Sequence, residues 1–538
     1  NKLKLTSQGL NKEWSDKGYK LPKFNQQEIK KNTKETPEWI HFGAGNIFRA
    51  FQANVVQELL DKKVLTTGLI VAEGYDYEII SKMYTPHDNL GILATLKADG
   101  SIEKTVVASI IYALQLDSQN DTEYESLKEI FRKPSLKMAS FTITEKGYSL
   151  VDGKGDLLKD VALDFTLGVD RPKSYIGKVT ALLYERYKNN ALPIAMVSMD
   201  NCSHNGDKLY AAVTAFAKEW SKEKLVEDGF LQYLEDTKKV TFPWTMIDKI
   251  TPRPDEKVKK ILEDDGIEDL EQVITSKNTY IAPFVNAEEC QYLVIEDKFP
   301  NGRIPLEKAG IIYTDRETVD KVEKMKVCTC LNPLHTSLAI FGCLLGYDLI
   351  SKEMQDADLR HLVERVGYKE GLPVVVDPKV LEPKKFIDEV VNVRIPNPFM
   401  PDTPQRIASD TSQKLSIRFG NTIKAHIKAG KDIRELKGIA LVLAGWLRYL
   451  MKIDDEGNAF ELSPDPLLDV VCPYVDDIKL GEDIDVHEKI SPLLENVSIF
   501  GVYMYKIGLG EIVEENFKKL ISGKGAVRKA LKELREQD

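Results

Sequence analysis

WIHFGAGNIFRAFQ, Trp39 to Gln52, is the stretch on which the reading of the fold turns. Trp39, Ile40 and Phe42 have the pattern of a short buried strand, and Ile47, Phe48, Phe51, Val55 and Val56 follow at helical spacing. The change of period falls at Gly43-Ala44-Gly45. A glycine there can take a tight turn, and the next one lets the backbone approach a pyrophosphate held at a helix N-terminus. Phe48 stands where the usual fingerprint has its third glycine. On spacing alone, a dinucleotide turn and an ordinary strand-to-helix connection have equal standing. The rest of the chain has to decide.

A chain of 538 residues is too long for one ordinary core and implies two large domains or three smaller ones. With 43% hydrophobic and 29% charged residues, it has an ordinary globular composition. A net charge of −10 argues against nucleic acid as a general partner, because no excess of Lys and Arg exists to neutralise phosphates. No apolar run approaches the roughly 20 residues that span a bilayer, and NKLKLTSQGLNKEW lacks the apolar core of a signal peptide, so the expected location is cytoplasmic. The six cysteines show neither a disulfide framework nor a CxxC pair, and the seven histidines include no HExxH. No metal is expected.

From Trp39 onward, strand-like runs at Gly68 to Glu73, Lys137 to Thr144 and Pro193 to Asp200 alternate with helical ones such as Lys173 to Asn190. This alternation predicts a parallel α/β sheet of Rossmann type. Residues 1 to about 37 are polar and lysine-rich and read as a surface extension. Glu73 ends the strand after the glycine turn, where an acid can accept hydrogen bonds from an adenosine ribose and repel a 2′-phosphate, which favours NAD over NADP. A strand-end acid facing solvent is the plainer alternative. After about residue 290 strand signals thin out, and Thr336 to Tyr347, Leu359 to Tyr368, Leu436 to Met451 and Glu514 to Glu536 have helical periods. The expected division is therefore a dinucleotide-binding domain over 1–290 and a mostly α-helical substrate domain over 291–538.

KMKVCTCLNPLHTSLAIFG, Lys324 to Gly342, is the stretch richest in reactive side chains. Asn332 and His335 are three apart and share a face if helical, and Lys326 lies six residues before Asn332. Taken singly, Asn332 is equally a helix cap followed by proline, His335 a core histidine and Lys326 a solvated cation.

Taken together with the rest of the chain, these residues resemble the polyol-specific long-chain dehydrogenases, the mannitol dehydrogenase family. GAGNIFRAF, Gly43 to Phe51, is similar to the family's GxGxxxR cofactor turn, and TITEKGY, Thr142 to Tyr148, to a second block of that domain. SMDNCSHNGD (Ser198 to Asp207), FPWTMIDKITP (Phe242 to Pro252), VIEDKFPNGRIPLEKAGI (Val294 to Ile311), NPLH (Asn332 to His335) and RIASDTSQK (Arg406 to Lys414) follow in family order. The resemblance implies an NAD-dependent, metal-independent enzyme that interconverts a sugar acid or polyol and its keto form. It implies cofactor contacts at Gly43, Ala44, Gly45, Asn46, Ile47, Phe48, Arg49, Glu73 and Glu145. It also implies Lys326 as general base, Asn201 and Asn332 as amide donors to the reacting oxygen, and His335 as a partner of a substrate hydroxyl. Asp248, Arg406 and Lys414 would hold the rest of the substrate. A lysine base needs its pKa lowered from about 10.4, which desolvation can do.

Two departures stand out. Ile247-Asp248-Lys249 occupies the place of Val-Asp-Arg, and Lys326 is six residues before Asn332 where the family has five. A π-bulge or helix restart before Pro333 is the expected way to return Lys326 to the active face. The cations Lys249, Arg303, Arg394, Arg406 and Lys414 near the matched blocks favour an anionic substrate. Among the family's activities, fructuronate reduction to mannonate is placed first, with tagaturonate reductase and mannitol 2-dehydrogenase as alternatives. A nucleotide-sensing protein without turnover is the reading from another class.

Overall fold

The strand signals resolve into one sheet of six strands: β1 (Trp39–Phe42), β2 (Leu69–Glu73), β3 (Ile110–Gln115), β4 (Met138–Phe141), β5 (Ile194–Ser198) and β6 (Val240–Thr241). The computed structural model describes residues 2–538. In space the strands run β3-β2-β1-β4-β5-β6, with every neighbouring pair parallel. This is the doubly wound dinucleotide-binding order, in which the direction of strand succession reverses between β1 and β4. β1, β2, β4 and β5 are buried along their whole length, which is why they read as apolar runs without alternation. Alternate residues feed two separate cores. Trp39, Leu69, Val71, Met138 and Val197 enter one, while Ile40, Phe42, Ile70, Phe141 and Met196 enter the other.

The chain divides into two compact units, residues up to 97 with 101–320, and residues 98–100 with 321–538. The first unit runs beyond the 290 expected for its domain because two strands after that residue belong with it: Tyr292–Glu296 pairs with Thr245–Asp248, and Ile312–Thr314 pairs with Tyr292–Glu296. Phe284–Glu288, just before it, pairs with Gly91–Leu96. The N-terminal segment is likewise no surface extension. Leu3, Leu5, Trp14 and Tyr19 are buried, and Tyr19–Lys20 adds a parallel strand beside Lys104 and Thr105. Its apolar residues are too sparse to announce burial, since lysines and polar residues separate them.

The second unit is helical. Lys437–Tyr449 is buried on nearly every side, as its run GIALVLAGWL requires. The helix expected over Glu514 to Glu536 is two helices, Gly510–Leu520 and Ala526–Gln537, because Gly523 and Gly525 adopt positive φ between them. One helical run, Arg316–Leu345, is long and apolar enough to cross a membrane by composition. With 78% of its apolar window buried, it has the character of a core helix instead.

Gly43 shows why this turn tolerates no other residue. Its φ is +113°, and a Cβ there would sit 2.2 Å from the Thr142 carbonyl oxygen. Gly43→Ala is therefore expected to cost about 3 kcal/mol or more, through a strained backbone and a forced separation of β1 from β4. Thermal or urea unfolding checks this, and an unchanged midpoint would contradict it.

Candidate active site

The crevice between the carboxyl ends of β1 and β4 is built around the glycine turn. Gly43 donates its N–H to the Ala72 carbonyl at 2.9 Å, and Ala44 donates to Glu73 Oε1 at 2.9 Å. Gly45 differs from Gly43 in having nothing within 4 Å of where a Cβ would stand, and it caps the short helix α1 (Asn46–Ala50). Beside it, the Asn46 Oδ1 is buried with no hydrogen-bond partner. Open space at the second glycine, an unsatisfied acceptor and a helix N-terminus together fit the phosphates and a ribose hydroxyl of a dinucleotide.

The other residues expected at the cofactor divide into those that face this crevice and those that support it. Glu73 is only 6% exposed, and its Oε2 accepts from the N–H groups of Tyr75 and Asp76 at 2.9 and 2.8 Å. Burial raises its pKa, against the lowering effect of three backbone N–H groups. Phe48 is fully buried and stacks on His41 at 4.4 Å, which explains its place where a glycine was expected. His41 in turn bonds Ser140 Oγ through Nδ1 at 2.6 Å and Thr142 Oγ1 through Nε2 at 2.7 Å. Burial holds its pKa down to about 3, so it is a neutral link from β1 to β4. Ile47 packs on the core, and the Arg49 guanidinium donates to the Ala282 carbonyl at 2.8 Å, inside the protein. The Glu145 side chain is 69% exposed, with Lys208 as its nearest cation at 4.0 Å.

At the end of β5, Asp200 is buried and accepts from Ile143 N–H at 3.0 Å, Thr144 N–H at 2.8 Å and the Tyr148 hydroxyl. Of the two asparagines in SMDNCSHNGD, Asn205 is the buried one. Its Nδ2 donates to the Ser198 and Asp200 carbonyls, and its Oδ1 accepts from Thr245 N–H at 3.0 Å. Asn201 is exposed. Asp248 ends its strand buried, and next to it Lys249 donates to Gln291 Oε1 at 2.7 Å with its ammonium 5.7 Å from the Phe51 ring centroid. Burial lowers the Lys249 pKa to about 8.

In the second unit the extra residue before Asn332 is absorbed by a π turn over Lys326–Cys330. Leu331 donates its N–H to the Lys326 carbonyl at 3.1 Å, a five-residue step, and His335 N–H then donates to the Leu331 carbonyl at 3.1 Å. An α-helix advances about 100° per residue, and a π turn takes in one residue without carrying the helix round by that amount. Lys326 is 3% exposed. Asn332 opens helix α2 (Asn332–Leu345) with its Oδ1 buried and unpartnered, and His335 lies on the same face, half-buried. Two further π turns, Arg365–Gly371 and Ser416–Gly420, pack against the first. The hydroxyl of Thr422, just beyond the latter, donates to the Cys328 carbonyl at 2.9 Å.

The expected substrate cations behave differently from one another. Arg406 is exposed and paired with Asp402, whereas Lys414 is half-buried and donates to the Ile407 carbonyl at 3.3 Å. Burial first, then Arg418 and Arg406, lowers the Lys414 pKa to about 8. Arg418 was absent from the sequence expectation. It donates to Thr336 Oγ1 at 2.8 Å, beside His335, and its place four residues after Lys414 was the available signal. Arg303 is spent on a surface pair with Asp297.

Two family domains account for most of the chain. Residues 37–308 match the mannitol dehydrogenase Rossmann domain, and residues 318–520 match the mannitol dehydrogenase C-terminal domain. The chain belongs to the mannitol dehydrogenase family. It is accordingly an oxidoreductase, a dehydrogenase or reductase acting on CH–OH groups. A D-mannonate oxidoreductase of Thermotoga maritima is 55% identical over 97% of this chain and 96% of its own length. A polyol:NADP oxidoreductase of Gluconobacter oxydans is 28% identical over 79% of this chain and 83% of its own. The Pseudomonas fluorescens mannitol 2-dehydrogenase, solved as a ternary complex with NAD and D-mannitol, superposes with a TM-score of 0.69 at 25% identity, covering 100% of both chains.

Within this member of the mannitol dehydrogenase family, the asparagines of SMDNCSHNGD can be separated by experiment. Asn205→Ala is expected to lower stability by about 2 to 4 kcal/mol, since it strands buried partners on β5 and at Thr245. Asn201→Ala is expected to change stability by less than about 1 kcal/mol. Urea unfolding of the two variants checks both, and equal losses would contradict the separation.

Proposed function

We propose that the protein is an NAD-dependent fructuronate reductase, interconverting fructuronate and mannonate with Lys326 as the general acid and base. The observation that carries this is the π turn, which buries Lys326 on the stretch leading directly into Asn332 and His335. The choice of sugar acid is supported by the relative from Thermotoga maritima and by the half-buried Lys414 with Arg418 beside it. The neighbour that carries NAD supports the cofactor. A cytoplasmic location belongs to the same proposal, since the reaction draws on a pool of reduced NAD.

Gly43, Ala44, Gly45 and Asn46 would hold the pyrophosphate and ribose of NAD, whose nicotinamide supplies the hydride acceptor or donor when bound. In the oxidative direction Lys326 removes the hydroxyl proton, and in the reductive direction it returns a proton to the carbonyl oxygen. Asn332 and Asn201 would supply amide N–H groups to that oxygen as charge develops. His335 holds a neighbouring hydroxyl. Asp248 orients the substrate chain, and Lys414 and Arg406 take the carboxylate.

The reading is tested by following NADH absorbance with fructuronate, tagaturonate and fructose in parallel. Turnover is expected to be fastest with fructuronate. Fructose or tagaturonate as the best substrate would replace the proposal with mannitol 2-dehydrogenase or tagaturonate reductase, and no turnover with any would favour a nucleotide sensor. Lys326→Ala is expected to lower kcat by about two to four orders of magnitude with NADH affinity little changed. Gly45→Val is expected to abolish NADH binding while the fold survives, because its side chain would enter open space.

Lys414 gives a pH signature. It is charged below about pH 8 and neutral above it, so the KM for fructuronate is expected to climb by about tenfold per unit above that pH. A Lys414→Met variant should show at every pH the raised KM that the wild type reaches only well above pH 8, and lose the climb. A wild-type KM that stays flat from pH 7 to 9.5 would remove Lys414 from carboxylate binding.

A further inference from the structure

The adenosine end of the cofactor site is the part for which the expected residue is already committed elsewhere. In a doubly wound sheet that end lies beyond the second strand, where an acid ordinarily receives the ribose hydroxyls. Glu73 stands there, but both of its oxygens accept backbone N–H groups, from Ala44 on one side and from Tyr75 and Asp76 on the other. What faces outward is Tyr75, two residues on, with 61% of its surface exposed. The Lys277 ammonium lies 4.3 Å from its ring centroid.

A solitary exposed tyrosine calls for no explanation, but this one is part of a built arrangement. Lys277 sits in the turn between Val273–Ile274 and Tyr280–Ile281, closed by Asn278 at φ +62°. That turn is tied to the segment following β2. The Thr275 hydroxyl donates to the Asp76 carboxylate, and Ser276 gives Glu78 both its hydroxyl and its N–H, the latter at 2.8 Å. The loop Tyr75 to Glu78 thus both carries the ring and anchors the turn that carries the ammonium. Nearby, the Lys178 ammonium donates to the Gly74 and Leu116 carbonyls at 3.3 and 2.7 Å, capping the ends of β2 and β3 from within. Lys277 is one of the charges that Lys178 feels, which places the exposed cation close to these strand ends.

We propose that Tyr75 and Lys277 form the adenosine subsite, the adenine base stacking on the exposed Tyr75 ring and Lys277, rather than Glu73, setting the response to a 2′-phosphate. This rests on the reading that the glycine turn holds NAD. An aromatic face accepts a base by stacking, and a neighbouring ammonium supplies charge to the sugar or its phosphate. With both Glu73 oxygens taken up by backbone N–H groups, the Lys277 ammonium over the exposed Tyr75 ring is the donor this subsite offers to a 2′-phosphate.

The test is a fluorescence titration of the full chain with NADH, NADPH and reduced nicotinamide mononucleotide, which lacks the adenosine half. Tyr75→Ala is expected to raise the Kd for NADH by about tenfold, Tyr75→Phe to change it by less than about threefold, and neither to affect the mononucleotide. Lys277→Ala is expected to raise the Kd for NADPH several times more than that for NADH. An unchanged NADH Kd in Tyr75→Ala, an equal loss for the mononucleotide, or parallel changes for NADH and NADPH in Lys277→Ala would overturn the assignment. A wild-type protein that binds neither dinucleotide would instead overturn the cofactor reading on which it depends. Unfolding midpoints of the variants, expected to match wild type because both side chains are exposed, separate lost binding from lost folding.

Discussion

Two buried carboxylates hold the carboxyl end of the sheet together, one on each side of the point where the strand order reverses. Removing a carboxylate from water is costly unless donors replace the water. Glu73, at the end of β2, takes its donors from the turn after β1 and from its own loop, while Asp200, just after β5, takes them from the loop after β4. Each acid therefore links two strand ends, and the Gly43 backbone lying under the Thr142 carbonyl joins the two pairs. Thr144 adopts φ +65°, a conformation that a non-glycine residue keeps only when its surroundings impose it. The hydrogen bonds to Asp200 impose it here.

The helical unit solves a different problem, that of placing one buried lysine relative to a helix that proline starts. Pro333 has no N–H to offer, so the turn before it is the cheapest place for an additional residue. A π turn leaves carbonyls displaced from their usual partners, and a side chain from a neighbouring element meets one of them, as Thr422 does at Cys328. That three π turns pack together around Lys326 follows from the same logic: a widened turn in one element leaves room that a widened turn in the next one fills. The closest fit is at Gly371, where a side chain would press on Thr329.

The sequence displayed these features unevenly, for physical reasons. The parallel strands were legible because burial on both faces makes them continuous apolar runs, and the π turn because a one-residue misfit beside a proline leaves few ways out. The strands at Gly91 to Val107 and Phe284 to Glu288 were not legible, since Phe284–Glu288 finds its partner, Gly91–Leu96, about two hundred residues away. Tyr292 to Asp315, by contrast, reads as a two-stranded or irregular connection and holds the parallel pair Tyr292–Glu296 and Ile312–Thr314. Within the motifs, spacing does not give side-chain direction. Arg49 and Phe48 sit in the glycine-turn block, yet one donates to a buried carbonyl and the other stacks on His41. A motif fixes which residues are neighbours in the chain, and the direction of each side chain depends on the strand beside it.

The charge near the substrate end is the one feature that runs against the composition of the chain. In a protein of net charge −10, Lys414 is half-buried and has two arginines among the groups that oppose its charge. Arg406 is paired with Asp402 at the surface, and Arg418 is committed to Thr336 by one of its donors. Burial and these two arginines outweigh Asp410 and Asp465, so Lys414 carries a charge that its surroundings disfavour and that an anion would favour. Proton binding and anion binding at such a group reinforce each other by the same factor in both directions. A carboxylate bound against Lys414 would raise its pKa from about 8, so that near this pH binding takes up a proton. A neutral polyol would gain nothing from that coupling, which makes the proton taken up, rather than the affinity alone, the property that separates the two classes of substrate.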